Sequence, residues 1–151
     1  MRAPYQVLVI PYRRISGGWE FCVMRRSDGD YWQGVAGGGE TGEPPAQAAK
    51  REAEEEAGLP QSAAYCRLDS VAMVPVSVFP AHPHWTENPY VIPEYCFGVD
   101  ATGLEIVLSH EHKEVFWGPY EAVRARLKWD SNLTALWELS ERLRKGDLAE
   151  V

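Results

Sequence analysis

Four of the five residues from Glu52 to Glu56 are glutamates, and they lie downstream of a loop containing Gly37-Gly38-Gly39. Carboxylates this dense on one helix repel one another, whereas hard divalent cations seek oxygen ligands of this kind. At about 100° per residue, Ala46, Ala49, Ala53 and Ala57 form a narrow apolar stripe, the side that packs. Glu52, Glu55 and Glu56 fall within an arc of about 100° beside that stripe, and Glu54 points away towards water. Carboxylates at the margin of a buried face are costly to desolvate unless a cation accompanies them. The small alanines leave room for ions, and the glycines let backbone approach a bound group closely. Arg51 is placed to orient one carboxylate while its neighbours hold metal. The alternative for the same residues is an ordinary solvated acidic face.

A fold must hold that face in place. Residues 6–12 read as a buried strand, 16–18 as a turn, and 19–26 as a second strand with Trp19, Phe21 and Val23 on one side. Residues 27–34 have turn composition. The acidic helix is expected over Pro45–Ala57, ended by Gly58 and Pro60. Residues 65–79 carry Pro75, which predicts a strand that bends or lies at an edge. Residues 80–90 are expected to form a long polar, Pro-bearing loop, followed by strands at 90–99, 104–108 and 115–117 and a helix at 121–127. Ser131 is expected to cap a last helix running to Lys145, with Leu133, Leu136, Trp137 and Leu143 on one stripe and Gly146 beyond its end. No internal repeat or linker interrupts the pattern, so one mixed α/β domain is expected over residues 1–151.

Bulk properties narrow the chemistry. A chain of 151 residues suits one domain with a sizeable core. The net charge of −7 argues against binding nucleic-acid polymers. It does not exclude a phosphorylated small molecule, provided metal ions carry the local positive charge. Cys22, Cys66 and Cys96 are odd in number and form no CxxC pair, so they suggest neither a zinc site nor a disulfide framework. They read as reduced thiols of a cytoplasmic protein. The apolar run Val7-Leu8-Val9-Ile10 stops at Pro11, far too short for a membrane span.

Gly37, five residues, Glu43, seven residues, and then Arg51-Glu52-Ala53-Glu54-Glu55-Glu56-Ala57-Gly58-Leu59 resemble the Nudix box in full. Ala53, where a larger aliphatic is usual, departs from the pattern in packing rather than in chemistry. The resemblance implies the Nudix fold, a mixed β-sheet sandwiched between α-helices, and hydrolysis of a nucleoside diphosphate linked to another moiety. It implies Mg²⁺ or Mn²⁺ held by Glu52, Glu55 and Glu56 near the Gly37 backbone, with Glu43 and Arg51 paired to fix the loop against the helix.

Outside the box, residues 31–43, 110–113 and 128–132 are similar to segments of the bacterial branch of dATP or dihydroneopterin triphosphate pyrophosphatases. That likeness places Glu111 at the metals as a ligand or as general base. His110 and His112, two apart on a strand, offer zinc ligation as one alternative and a solvated pair as the other. No cysteine or third histidine lies near in sequence, and His82 and His84 sit in the Pro-rich loop. Arg25 and Arg26 end the second strand, where they suit phosphate contact or simple exposure. Trp32, Trp85 and Trp129 are candidates to stack on a base or pterin, or else core and rim residues. Asn132 could hydrogen-bond a heterocycle edge or belong to a helix start.

These readings converge on a metal-dependent hydrolase releasing pyrophosphate from a nucleoside triphosphate-like small molecule, with no membrane partner expected. Another diphosphate substrate, such as a dinucleoside polyphosphate or ADP-ribose, is the enzymatic alternative. A non-catalytic nucleotide sensor is the other, although an intact Glu52, Glu55 and Glu56 set argues against it. Substrate choice lies in loops such as 80–90, and the oligomeric state, a homodimer included, is left open.

Overall fold

A computed structural model describes residues 1–79 and 85–151. Among them the chain runs β1 (Arg2–Ile15), β2 (Gly18–Arg26), β3 (Trp32–Gln33), β4 (Val35–Glu40), α1 (Pro45–Ala57) and β5 (Tyr65–Pro75). A single 3₁₀ turn at Val76–Val78 follows, then β6 (Val91–Asp100), β7 (His112–Gly118), α2 (Tyr120–Arg126) and α3 (Asp130–Lys145).

β1 organises the sheet because it takes three partners in succession. Its first half pairs antiparallel with β4, from Gln6↔Gly38 to Val9↔Val35, and parallel with β6, from Gln6↔Glu94 onward. Its second half exchanges β4 for β2, from Tyr12↔Phe21 to Ile15↔Gly18. β5 extends the sheet beyond β6, while β3 and β7 pair with β2. Covered on both faces, β1 is apolar without alternation from Val7 to Ile10. Its side chains divide by parity. Val7 and Val9 join Ala48, Ala49, Ala53 and Ala57 of α1 in one core, and Leu8 and Ile10 join Ala135, Leu136, Leu139 and Leu143 of α3 in the other. The result is the expected α/β architecture, a mixed sheet between helices.

Three local expectations need correction. Residues 104–108 form no strand: the Val107 and Ser109 N–H groups donate to the Ala57 and Glu56 carbonyls at 2.9 and 3.3 Å, so the segment pairs with the end of α1 rather than with a sheet. Ser131 lies inside α3, whose N-cap is Trp129, and makes no side-chain cap bond. Trp137 is exposed, because α3 turns Leu136, Leu139 and Leu143 inward and carries residue 137 about 100° round from 136. The turn-like stretch 27–34 also contains the short strand β3. The loop expected at 80–90, with His82 and His84, lies partly outside the described residues.

Candidate active site

The rotation of α1 is pinned at both ends of its exposed face. Pro45 begins the helix, and Gly58 ends it at φ 67°, a left-handed conformation that glycine adopts without strain. The Gly58 N–H donates to the Glu54 carbonyl and the Leu59 N–H to the Ala53 carbonyl, and Leu59, fully buried, anchors the exit. With Ala49, Ala53 and Ala57 against the sheet, Glu56 is swept almost completely inside, at 3% exposure. Glu52 is mostly covered, whereas Glu54 and Glu55 face solvent.

Arg51 ties the helix to the glycine loop. Its Nε and Nη2 donate to the two Glu43 carboxylate oxygens at 2.9 and 3.0 Å, and Nη2 also donates to the Gly38 carbonyl at 2.9 Å. Nη1 donates to Glu52 Oε1 at 2.8 Å and reaches Glu55 Oε2 at 3.4 Å. This fork holds the Glu43 carboxyl below its ordinary range. The Tyr5 hydroxyl fixes the same corner by donating to the Glu43 carbonyl at 2.6 Å. Across from it, a methyl group at Gly37 would collide with the Glu52 carboxylate, so only glycine lets that side chain lie against the β4 backbone.

Glu56 is the anomalous group. Both of its carboxylate oxygens are buried without a hydrogen-bond partner. Burial, followed by the neighbouring charges of Glu52 and Glu111, pushes its carboxyl well above the usual range. Glu52 is raised too, chiefly by burial. The nearest nitrogen to Glu56 is His112 Nδ1, at 3.8 Å from Oε1. His112 is buried at the start of β7, and desolvation aided by Arg26 lowers its pKa, so the ring faces Glu56 as a neutral imidazole. A solvated histidine pair is therefore incorrect. His110 remains exposed while His112 turns inward, which also denies zinc the expected pair.

Glu111 arrives beside this cluster through backbone bonds. Its carbonyl accepts from the Ser27 N–H at 2.8 Å, and the Ser109 N–H meets the Glu56 carbonyl. Its carboxylate stands 3.6 Å from Arg26 Nη1. The structure thus gathers Gly37, Glu52, Glu56 and Glu111, keeps Glu55 at the solvent edge, and uses Glu43 and Arg51 as the brace. Among the described residues, no three His, Cys, Asp or Glu side chains are grouped as they would be around a metal ion, and Arg51 engages Glu52 and Glu55. A divalent cation nevertheless fits the chemistry: it would satisfy two orphaned carboxylate oxygens and relieve like-charge repulsion.

A cavity of about 580 Å³ adjoins the cluster and shares Ala36 and Arg26 with its margin. Trp129 and Asn132 line it, as does Arg26. Arg25 and Trp32 do not. Arg25 is occupied by Glu114 at 2.7 Å and by Asp30, and Trp32 packs edge-on against Phe116 beneath α2. Trp85 donates its indole N–H to the Arg2 carbonyl at 3.0 Å, away from this cavity. Asn132 is buried and accepts the Gly34 N–H at 2.9 Å, which locks α3 to the strand before the glycines.

The family model for the NUDIX domain matches residues 4–137. The chain belongs to the Nudix family. It is accordingly a hydrolase of pyrophosphate bonds, and Nudix hydrolases generally use divalent metal ions. A Nudix hydrolase from Listeria monocytogenes is 44% identical, with 99% of this chain and 100% of that one covered at a TM-score of 0.89. The dihydroneopterin triphosphate pyrophosphohydrolase of E. coli is 24% identical, with 93% and 97% covered at 0.77. A C. elegans Ap4A hydrolase is 21% identical, with 95% and 99% covered at 0.70. The latter two likenesses establish the fold alone. A search of curated proteins returns no match. Among the described residues of this Nudix chain, no helix is long and apolar enough to cross a membrane.

Several neighbours of the Nudix site are brought to it only by folding. Tyr31, Gln33 and Glu94 line the cavity, and His112 packs behind Glu56. For His112 the available signal was strand alternation, which separates it from Glu111. For Glu94, an acid between Pro93 and Tyr95 in a strand that is otherwise mostly apolar was the signal.

Proposed function

We propose that this Nudix hydrolase releases pyrophosphate from a nucleoside triphosphate-like substrate of the dATP or dihydroneopterin triphosphate class, using Mg²⁺ or Mn²⁺. The observation that carries this reading is the buried Glu56 carboxylate, its oxygens unpartnered and the charges of Glu52 and Glu111 close by. Glu52, Glu55, Glu56 and Glu111, with the Gly37 backbone, would hold the metal. A divalent metal bound there neutralises phosphate oxygens and acidifies the attacking water. Arg51, braced by Glu43, sets the direction of the Glu52 carboxylate. Glu111, whose carboxylate stands 3.6 Å from Arg26 Nη1, would accept the proton of the attacking water. Tyr31 and Trp129, edge to face with ring centroids 5.6 Å apart, wall the cavity for the heterocycle. The E. coli relative supports a triphosphate substrate, and the C. elegans relative keeps a dinucleoside polyphosphate as the alternative.

A phosphate-release screen over nucleoside and pterin triphosphates, dinucleoside polyphosphates and ADP-ribose, with Mg²⁺, tests the assignment. Turnover of a triphosphate to monophosphate and pyrophosphate is expected. Turnover confined to dinucleoside polyphosphates or ADP-ribose overturns the proposed substrate class.

Metal and stability should be linked as well. In the metal-free protein the Glu56 carboxyl lies above its unfolded value, so the folded state retains a proton that the unfolded chain has lost. That contribution favours the fold at low pH and is lost as pH rises from the ordinary carboxyl range through the raised value. Only the ionised cluster binds cation. Mg²⁺ should therefore raise the melting temperature more in mildly alkaline than in mildly acidic buffer. Linkage supplies about 2.7 kcal/mol at a hundredfold excess over Kd. Melting curves indifferent to Mg²⁺ and Mn²⁺ at both pH values support a plain acidic face instead.

A further inference from the structure

Glu94 is a second buried acid, on a different strand from the hydrolytic cluster and with different surroundings. It sits on β6 between Gln6 of β1 and Ala72 of β5, at 7% exposure, and lines the cavity beside the start of α3. Its Oε1 has no hydrogen-bond partner. An unpaired carboxyl oxygen is costly to bury, and neither the core nor the hydrolytic chemistry accounts for one here. Desolvation raises its pKa, opposed by the Ser131 hydroxyl alone.

The rest of the cavity indicates what those donors belong to. Two of its amide oxygens are engaged within the protein: Gln6 Oε1 accepts from Arg2 at 2.6 Å and Asn132 Oδ1 from the Gly34 N–H. The one lining cation among the described residues, Arg26, is held by Asp28 at 2.9 and 3.0 Å and by Glu111. Among the described residues of the lining, three acids, Asp28, Glu94 and Asp130, stand against one arginine. A volume near 580 Å³ admits a bicyclic heterocycle, and Tyr31 and Trp129 present aromatic surface to it.

We infer that Glu94 is a specificity-determining residue that reads two adjacent N–H donors, the ring N–H and exocyclic amine of a 2-amino-4-oxopyrimidine edge, as guanine and pterin rings share. A carboxylate accepts both bonds side by side. Hydrogen bonds to the charged form offset its desolvation. Adenine presents one donor beside one acceptor and leaves a carboxylate oxygen facing a ring-nitrogen lone pair. The inference deepens the proposed function, on which it rests for the triphosphate portion, by narrowing the substrate ring.

The test measures binding without metal or turnover, so it is separable from hydrolysis. The full chain is titrated calorimetrically with dGMP, dIMP, dAMP and neopterin. dIMP is dGMP without the 2-amino group, which isolates one donor. The wild type should bind dGMP roughly 10-fold or more tightly than dIMP, a loss within the range of one hydrogen bond to a charged group, and dAMP no better than dIMP. Glu94→Gln, which offers one acceptor and one donor, should reduce the dGMP-to-dIMP ratio to about one. Neopterin binding more tightly than dGMP assigns the ring to a pterin, and the reverse order assigns it to a guanine nucleotide. Equal wild-type binding of dGMP and dIMP, tightest binding of dAMP, no binding of any of the four, or a ratio that survives Glu94→Gln overturns the inference. The first comparison needs no variant, so poor folding of Glu94→Gln leaves the test intact. If the phosphate-release screen shows no triphosphate turnover but this selectivity holds, only the triphosphate reading falls.

Discussion

Glu56→Gln should lower kcat by about 10³-fold while leaving the protein folded. Glutamine keeps the length and shape of the side chain and removes the charge that would hold a cation. Metal stabilisation of the transition state is worth several kcal/mol, and about 4 kcal/mol corresponds to roughly 10³ in rate. The fold should not suffer, because the substitution removes a buried carboxylate whose two oxygens have no partner and whose neighbours Glu52 and Glu111 repel it. The metal-free variant should melt at or above the wild-type temperature and lose its response to Mg²⁺. The rate loss belongs in kcat more than in KM, since the interaction strengthens as charge develops. A variant that turns over at the wild-type rate removes Glu56 from the metal site.

Glu111→Gln should cut kcat by roughly 10²-fold or more, within what a positioned general base supplies, with a smaller change in KM. Glu111 is distant from α1 in sequence, yet Ser27 and Ser109 hold its backbone so that its charge bears on Glu56. Its carboxylate is half-exposed, which lets a water reach it, and it stands beside Arg26. Glu114→Gln is the matched control. That side chain pairs with Arg25 on the surface, outside both the cluster and the cavity, so steady-state rates should be nearly unchanged. Equal losses from the two variants point to a general effect on β7 rather than to a role for Glu111.

Helix α1 was legible because everything that sets it is local: Pro45 at its start, Gly58 at its end and an alanine stripe at helical spacing. Once its rotation is known, the inward turn of Glu56 follows from the burial of Ala53 and Ala57. Residues 104–108 misled for the opposite reason. Their apolar spacing resembles a strand, but the partner that satisfies their N–H groups is the carbonyl end of a helix some fifty positions earlier. His112 and Glu94 were not legible as site residues, since each matters through what lies across from it after folding. Arg25 and Arg26 are neighbours in sequence and diverge in fate by strand alternation. One reaches Asp30 and Glu114, and the other reaches the cavity and Glu111.

The most direct test of the metal-centred account is a crystal of the protein grown with Mn²⁺ and examined for anomalous scattering. The account predicts a peak within coordination distance of Glu56 and Glu52 carboxylate oxygens, beside the Gly37 backbone, with the Glu111 carboxylate turned towards it. A peak found only at exposed acids such as Glu54, with Glu56 still unliganded and Glu111 pointing into solvent, would contradict it.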